Sequence, residues 1–301
     1  MLRKLLTLIV LFGSTTVAPL SLADVTIVGS STLEPFLKQW AETYQAKVPG
    51  AEIHISSPGT SVAPKALSSG KADLAAMNRE MNHDESEAFI RAHGHYPTGI
   101  AVAIEAVALY AHPDNPVKGM DLKQVDAIFS AGHGCGWSED IRQWGQLGLP
   151  APWDKQPIML LGHDKKSAVR DFFNKSVLCR DDFASEVAEL KHEQLLAKVA
   201  ETKNALGYGR YQPDTKLKLV PLKKGGDEYV ALTPANVYNR SYKLQHFMYL
   251  YVNKASGKPV AAAIADFLKT GLSKEGQAAV VEVGYLPLSD ELIQRQLNKL
   301  K

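Results

Sequence analysis

Cysteine and net charge are both scarce in this sequence. Its 301 residues include two cysteines, 34 lysines and arginines, and 32 aspartates and glutamates. Arg3 and Lys4 are the only charged residues among the first 23, and beyond them the two signs balance at 32 each. Proteins that bind nucleic acid usually gather a basic excess on one face. We therefore expect no nucleic-acid partner, and any affinity for anions must come from a local group of donors.

The start of the chain lacks an apolar run of membrane-spanning length. Residues 5–12 are apolar, whereas a transmembrane helix needs roughly 20 such residues. The two basic residues before this run, and the small residues that lead to Ala23, are typical of a secretory signal peptide; a buried N-terminal helix is the alternative. We expect cleavage after Ala23 and a periplasmic protein that is not embedded in the membrane. Because no cysteine follows the cut, we expect no lipid anchor.

Familiar catalytic motifs are missing as well. The sequence has no Gly-x-Ser-x-Gly elbow, no Walker loop, no His-Glu-x-x-His pair and no Asp-rich calcium loop. His93 and His95 stand one residue apart without the further spacing that a zinc site needs. We therefore expect a protein that is not an enzyme and that holds no metal and no cofactor. A hydrolase of phosphate esters is the weakest of the alternatives.

The two cysteines, Cys135 and Cys179, both lie beyond the predicted cleavage site. Exported proteins fold in an oxidising compartment, where a pair of cysteines usually forms a structural disulfide. Cys135 also stands two residues after His133, and a cysteine near a histidine can be a nucleophile. The disulfide is the prediction, and the nucleophile is the alternative.

Linkers, repeats and low-complexity segments are also absent from the 278 residues that follow Ala23. Such a length exceeds the usual single domain of roughly 100–150 residues, and 45% of the chain is hydrophobic. The absence of a linker indicates two domains joined by strands that cross between them. The candidate crossing segments are residues 107–110 and 247–252.

Apolar periodicity predicts alternating strands and helices. We predict strands at residues 25–28, 53–55, 74–77, 101–110 and 158–161. We predict helices around residues 34–44, 63–67, 84–93, 122–129, 167–177, 260–268 and 274–283, with Asp84 and Ser273 as caps. This alternation indicates an α/β fold with mostly parallel sheets covered on both faces.

Hydroxyl side chains accumulate where predicted strands end and helices begin. They are Ser30, Ser31, Thr32, Thr60, Ser61 and Ser167. Helix starts present unpaired N–H groups that favour anions, and hydroxyls add neutral donors. Arg79 follows another strand and would be a bidentate partner for an oxyanion. The alternatives are ordinary N-caps for the hydroxyls and a surface ion pair for Arg79.

At these loops the chain resembles the periplasmic phosphate-binding proteins of ABC transporters, which have the type II periplasmic-binding-protein fold. The resemblance rests on segments that include GSSTL at 29–33, GTSVAP at 59–64, AMNREM at 76–81, HPDNP at 112–116, YLYVNK at 249–254 and GYLPL at 284–288. It implies two α/β domains, one of residues 24–108 and 244–301 and one of residues 109–243, that close over one anion. It also implies a monomer that delivers phosphate to a transporter permease, and a Cys135–Cys179 pair.

The resemblance also implies a set of ligand contacts. Carried over by position, they are Ser31, Thr32, Leu33, Ser61, Asn78, Arg79, His163, Ser167, Ala168, Val169 and Arg170. In the family, the last loop reads Gly-Arg, a few residues, then Ser-Gly-Thr-Arg. Here His163 replaces the first arginine, Ala168 the glycine and Val169 the threonine.

These replacements change the expected chemistry. His163 turns a permanent cation into a titratable one, so affinity should rise as pH falls through about 6.5 if its ring lines the site. Asn78 stands where relatives carry an acid that accepts the proton of hydrogenphosphate, so we expect weaker discrimination against sulfate. The prediction is phosphate binding. The alternative is a diverged paralogue that binds another oxyanion or acts as an envelope sensor or adhesion partner.

Overall fold

The structure is a computed structural model that describes residues 24–165, 167–226 and 228–301. The predicted signal peptide lies outside the described residues. The strands are β1 Val25–Gly29, β2 Ile53–Ser56, β3 Leu74–Met77, β4 Thr98–Ala111, β5 Met120–Asp121, β6 Met159–His163, β7 Ala188–Leu190, β8 Ala205–Arg210, β9 Lys218–Leu219, β10 Leu222–Lys223 and β11 Gln245–Val252. The helices are α1 Glu34–Lys47, α2 Ala63–Ser68, α3 His83–His93, α4 Leu122–Phe129, α5 Ala168–Val177, α6 His192–Glu201, α7 Pro234–Tyr238, α8 Ala262–Leu272, α9 Lys274–Glu282 and α10 Asp290–Asn298.

The main sheet has the strand order β2-β1-β3-β11-β4-β8-β6-β7, with β9 also paired to β4. Strands pair in parallel on both outer sides, where β1 lies between β2 and β3, and β6 lies between β7 and β8. The central pairings of β11 with β3 and β4, and of β4 with β8, are antiparallel. The predicted α/β class, with mostly parallel pairing outside a central crossing, is confirmed.

Strand β4 joins the two groups of strands. Its first part pairs with β11 as far as Ala106, and its second part, from Val107, pairs with β8. The predicted crossing at residues 107–110 therefore lies in β4. The other prediction is corrected, because residues 247–252 pair only with β3 and the first part of β4. The chain returns to the first group of strands just before β11, at Leu244, whose carbonyl accepts from the Val107 N–H at 2.9 Å.

Most predicted helices form close to their expected bounds, and Ser273 caps α9 by accepting from the Gly276 N–H. The cap of α3 is a correction. Asn82, and not Asp84, accepts from the Glu85 N–H, because Asn82 has the extended backbone of a cap and a capping box with Glu85. The end of the chain also carries one helix more than predicted, α10, which Ser289 caps.

Helix α1 packs through the apolar side chains that its sequence pattern predicts to be buried. Its apolar side chains recur at helical spacing and are buried. The Trp40 ring lies 5.2 Å from the Phe36 ring and 6.3 Å from the Phe267 ring of α8. The Trp40 Nε1–H donates to the Gly276 carbonyl at 2.7 Å, so this buried polar group is paired. These contacts fix α1 against α8 and α9.

The predicted disulfide between Cys135 and Cys179 is present, with a Cα–Cα distance of 5.4 Å. It links the loop after α4 to the end of α5. Both sulfurs are bonded, so the alternative of a nucleophilic Cys135 is wrong. In the part of the chain that the structure describes, none of the helices combines the length and the apolar character needed to cross a bilayer.

Candidate functional site

The first part of the candidate site lies where β1, β2 and β3 end side by side. Parallel strands bring their carboxyl ends to one edge of the sheet. The Ser30 N–H donates to the Ala76 carbonyl at 2.9 Å, and the Gly59 N–H donates to the Gly29 carbonyl at 2.8 Å. The Thr60 Oγ1 hydroxyl donates to Asn78 Oδ1 at 2.8 Å. The three predicted loops therefore meet at this edge.

The helices at the candidate site begin without side-chain caps. Leu33, Gly59 and Ser167 occupy the cap positions of α1, of the 3₁₀ turn before α2 and of α5, and none makes a side-chain cap bond. By contrast, Asn82, Asp121, Ser273 and Ser289 cap α3, α4, α9 and α10. Ser167 occupies a cap position but makes no cap bond, and the cap positions of the other two helix starts are held by residues without a hydroxyl. The hydroxyls near these helix starts remain able to bind an anion beside the N–H groups of the first turns.

The hydroxyls around α1 divide into a supporting and an accessible group. Ser30 is buried, and its Oγ accepts from the Thr32 N–H at 3.2 Å. Ser31 and Ser61 are exposed, and Thr32 is partly exposed. Ser30 therefore shapes the loop, whereas the predicted contacts Ser31, Thr32 and Ser61 are open to a ligand. The Leu33 N–H donates to the Ser30 carbonyl, which leaves it a weaker donor for an anion.

Arg79 is held by a neighbouring carboxylate. Its two terminal nitrogens donate to the two oxygens of Glu85 at 2.8 and 2.7 Å, and Nη1 also donates to the Glu80 carbonyl. The guanidinium holds the pKa of Glu85 below its ordinary value. Arg79 thus forms the ion pair that was the alternative to anion binding, and a ligand would have to share it with Glu85. Its predicted contact with a ligand stays a prediction.

The second part of the candidate site follows β6. Val169 is buried in the core, and Arg170 donates to the His163 carbonyl at 2.9 Å, stacks over the Phe183 ring at 3.8 Å and lies 3.6 Å from Glu189. These two residues hold the loop, and their predicted ligand contacts stay predictions. Ala168 is exposed and Ser167 is partly exposed, so both are accessible to a ligand.

His163 is buried, with 6% of its surface exposed. Its pKa is lowered from 6.5 to about 4, chiefly by burial and then by the charges of His192 and Arg210, which outweigh the opposing effects of Asp164 and Glu105. Desolvation disfavours the imidazolium form. The gain in affinity expected near pH 6.5 is therefore displaced to much lower pH.

A polar cluster that surrounds His163 beside the middle of β4 was not predicted from the sequence. Glu105 of β4 is 2% exposed, and its carboxylate lies 3.3 Å from His246 Nε2 and 3.8 Å from Arg210 Nε. The His192 ring stacks on the His163 ring with a centroid distance of 5.7 Å. The available signal was Glu105 itself, a single charge inside an apolar strand.

Contacts between side chains connect the two parts of the candidate site. The Phe36 ring, on the first turn of α1, lies 6.2 Å from the Tyr285 ring. The Arg210 guanidinium lies 5.2 Å from that tyrosine ring and borders Glu105. These contacts run from the first turn of α1 to Glu105, which lies in β4 just before the strand changes partners.

The stability of the ligand-free protein should fall as pH falls from 6.5 towards 4. Folded His163 gains its proton only near pH 4, so the unfolded chain binds more protons across that window. The expected loss is on the order of 3 kcal/mol. His163→Gln should remove most of it in urea unfolding between pH 4 and 8. His54→Gln, at an exposed position, is the control, and parallel pH profiles for wild type and His163→Gln would contradict the expectation.

Comparisons with known proteins find relatives that match most of this chain. A family model described as a PBP superfamily domain matches residues 14–275. The phosphate-binding protein PstS of Pseudomonas aeruginosa is 39% identical over 280 residues, which cover 92% of this chain and 87% of that protein. The phosphate-binding protein PstS of Staphylococcus aureus is 24% identical over 278 residues, 91% of this chain and 81% of that protein.

Solved structures show the same architecture. A possible phosphate binding protein from Planctomyces limnophilus has a TM-score of 0.73 at 25% identity, covering 92% of this chain and 98% of that one. An ABC-type phosphate transport receptor from Vibrio cholerae has a TM-score of 0.64 at 19% identity, covering 88% and 100%. The second likeness concerns the fold alone.

Proposed function

Because the chain belongs to the PBP superfamily and, within it, to the family of the PstS phosphate-binding proteins, we propose that it binds inorganic phosphate for an ABC transporter. The resemblance inferred from the sequence motifs is confirmed by these matches. The identity over nearly the whole chain favours this function over a diverged paralogue that serves as a sensor or adhesion partner.

One observation of the structure carries the proposal. The helix starts at Leu33, Gly59 and Ser167 lack side-chain caps, whereas most helix starts away from these loops have one. Uncapped first turns offer N–H groups to an anion, and adjacent hydroxyls offer neutral donors without a competing anionic charge. Several such bonds must converge for useful affinity, because each contributes about 1.5–3 kcal/mol.

The proposal includes the contacts predicted from the sequence. Residues 31–33, Ser61, Asn78 and Arg79 would bind the anion from one side, and His163 and residues 167–170 from the other. The Thr60–Asn78 hydrogen bond supports this placement, because it occupies the Asn78 carbonyl oxygen and leaves the amide N–H₂ as a donor.

The proposal also includes two domains, residues 24–108 with 244–301 and residues 109–243, that close over the anion as a monomer. The change of partners along β4 at Ala106 and Val107 supports these bounds. Export after cleavage at Ala23 would place the protein in the periplasm, where it would deliver phosphate to a permease. Binding would occur without catalysis.

Phosphate should bind the purified protein with one-to-one stoichiometry in calorimetry. A thermal-shift panel with sulfate, arsenate, molybdate and phosphonates tests selectivity, and we expect weaker discrimination against sulfate because Asn78 carries no carboxylate. No heat and no thermal shift at millimolar phosphate would refute the proposed function. A shift with another oxyanion alone would change the ligand but not the site.

Ser61→Ala should weaken phosphate binding about tenfold, because it removes one hydroxyl donor to a charged ligand. Ser61 is exposed, so the stability of the ligand-free variant should match wild type. The matched control is Ser256→Ala, at an exposed position after β11. Equal phosphate affinities for the two variants would mean that Ser61 does not contact the ligand.

A further inference from the structure

Two histidine nitrogens approach one point above β8. A Cβ atom placed on Gly209 would lie 3.0 Å from His192 Nδ1 and 3.2 Å from His163 Nε2. The planes of the two stacked rings are nearly parallel, with an interplanar angle of 13°. The backbone of Gly209 is not in the left-handed region, so glycine is not required here by conformation. Its missing side chain leaves space between the two nitrogens.

The polar atoms around this space lack partners in the protein. Among the described residues, His163 Nε2, His192 Nδ1 and Arg210 Nε are buried and make no hydrogen bond. Glu105 Oε1 lies 3.8 Å from Arg210 Nε, which is too long for a hydrogen bond. Buried polar groups are nearly always paired in native proteins, so two unpaired ring nitrogens that face the same space indicate a bound polar group.

Charge favours an oxyanion oxygen as that group. Arg210 is a permanent cation whose charge acts on both rings, and a neutral histidine can place its proton on either ring nitrogen, so both ring nitrogens can donate together. Burial lowers the pKa of His192 as it does that of His163, so both rings are neutral at pH 7. Glu105 balances part of the arginine charge, so binding here depends mainly on directed hydrogen bonds.

We propose that His192 is a further ligand-binding residue, which together with His163 binds one oxygen of the anion above Gly209, and that the positive charge of Arg210 nearby attracts the anion. We call this space the Gly209 cradle. The proposal rests on the proposed function, because the oxygen belongs to the same anion that the uncapped helix starts bind. The path from Phe36 through Tyr285 to Arg210 supports this, because it ties the cradle to the start of α1. The two ring donors at the cradle would also make up for the hydroxyl absent at Val169.

Calorimetry with inorganic phosphate tests the cradle. His192→Gln and Gly209→Ala should each weaken binding about tenfold or more, the first by removing a donor and the second by filling the space with a methyl group. Arg295→Gln and Gly226→Ala are matched controls. Arg295 is 65% exposed beside Glu291, and nothing lies within 4 Å of a Cβ on Gly226, so both should bind like wild type.

Nitrogen-15 NMR of the histidine rings separates a contact from an indirect effect. Phosphate should shift the His163 Nε2 and His192 Nδ1 signals of the wild-type protein, while His83 at the exposed start of α3 stays unchanged. The proposal would be overturned if His192→Gln and Arg210→Gln bound phosphate within twofold of wild type and the ring signals did not shift. Water would then be the group that occupies the cradle. Absence of phosphate binding by wild type would instead refute the proposed function, and this inference with it.

Discussion

Gly29→Ala should destabilise the protein by about 3 kcal/mol or more. A Cβ at this position would lie 2.0 Å from the Ala76 carbonyl oxygen and 3.0 Å from the Ala63 Cβ. The oxygen belongs to the backbone of β3 and accepts from the Ser30 N–H, so it cannot move without breaking the edge where the loops meet. Gly29 also has a φ of 153°, which side chains rarely tolerate.

Two other glycines separate the causes of this effect. Gly59 has a φ of 118° but open space around a Cβ, so Gly59→Ala measures conformational strain alone. Gly226 has neither restriction and should tolerate alanine. Urea unfolding should rank the losses Gly29, Gly59, Gly226 in decreasing order. If Gly29→Ala lost no more stability than Gly59→Ala, the expectation would be wrong, because the β3 backbone would then be able to move away from the added methyl group.

Replacing both Cys135 and Cys179 with serine should cost about 2–4 kcal/mol in the free energy of unfolding. The disulfide closes a segment with a sequence separation of 44, and opening it restores conformational freedom to the unfolded chain. The segment includes β6 and all of α5, so the double variant should also open this part of the structure more readily and bind phosphate more weakly.

Reduction provides an independent measurement of the same bond. A reducing agent should lower the urea midpoint of wild type and leave the double-serine variant unchanged. The native protein should yield no titratable thiol before unfolding. A wild-type midpoint insensitive to reduction would mean that the disulfide contributes nothing to stability.

Local pattern accounts for the parts of the fold that were predicted from sequence. The bounds of α4 and the cap of α9 depend on residues within one or two turns, and both agree with prediction. The extent of β4 is close, because its apolar residues continue on both sides. Asn82 was missed as the cap of α3 because Asp84, two residues later, is an equally good capping residue by type.

The candidate site was predicted in part for the same reason. Ser31, Thr32 and Ser61 follow strands of one sheet, and parallel pairing alone brings their loops to one edge. Arg79 could not be assigned, because its partner Glu85 competes with a ligand for the same guanidinium. The sequence shows that Glu85 is close to Arg79 along the chain. It does not show whether the guanidinium contacts Glu85 or a ligand.

By itself, the sequence determined the alternation of strands and helices, the placement of hydroxyls at helix starts and the pairing of the two cysteines, because each follows from neighbouring residues or from the scarcity of alternatives. The sequence indicated a crossing near residue 107, but only the tertiary structure decided which strands β4 pairs with on either side of it and that Glu105, His192 and Arg210 gather around His163. Those residues lie on separate elements far apart in the chain. Their pKa values, hydrogen bonds and charges depend on burial and on neighbours that only folding brings together.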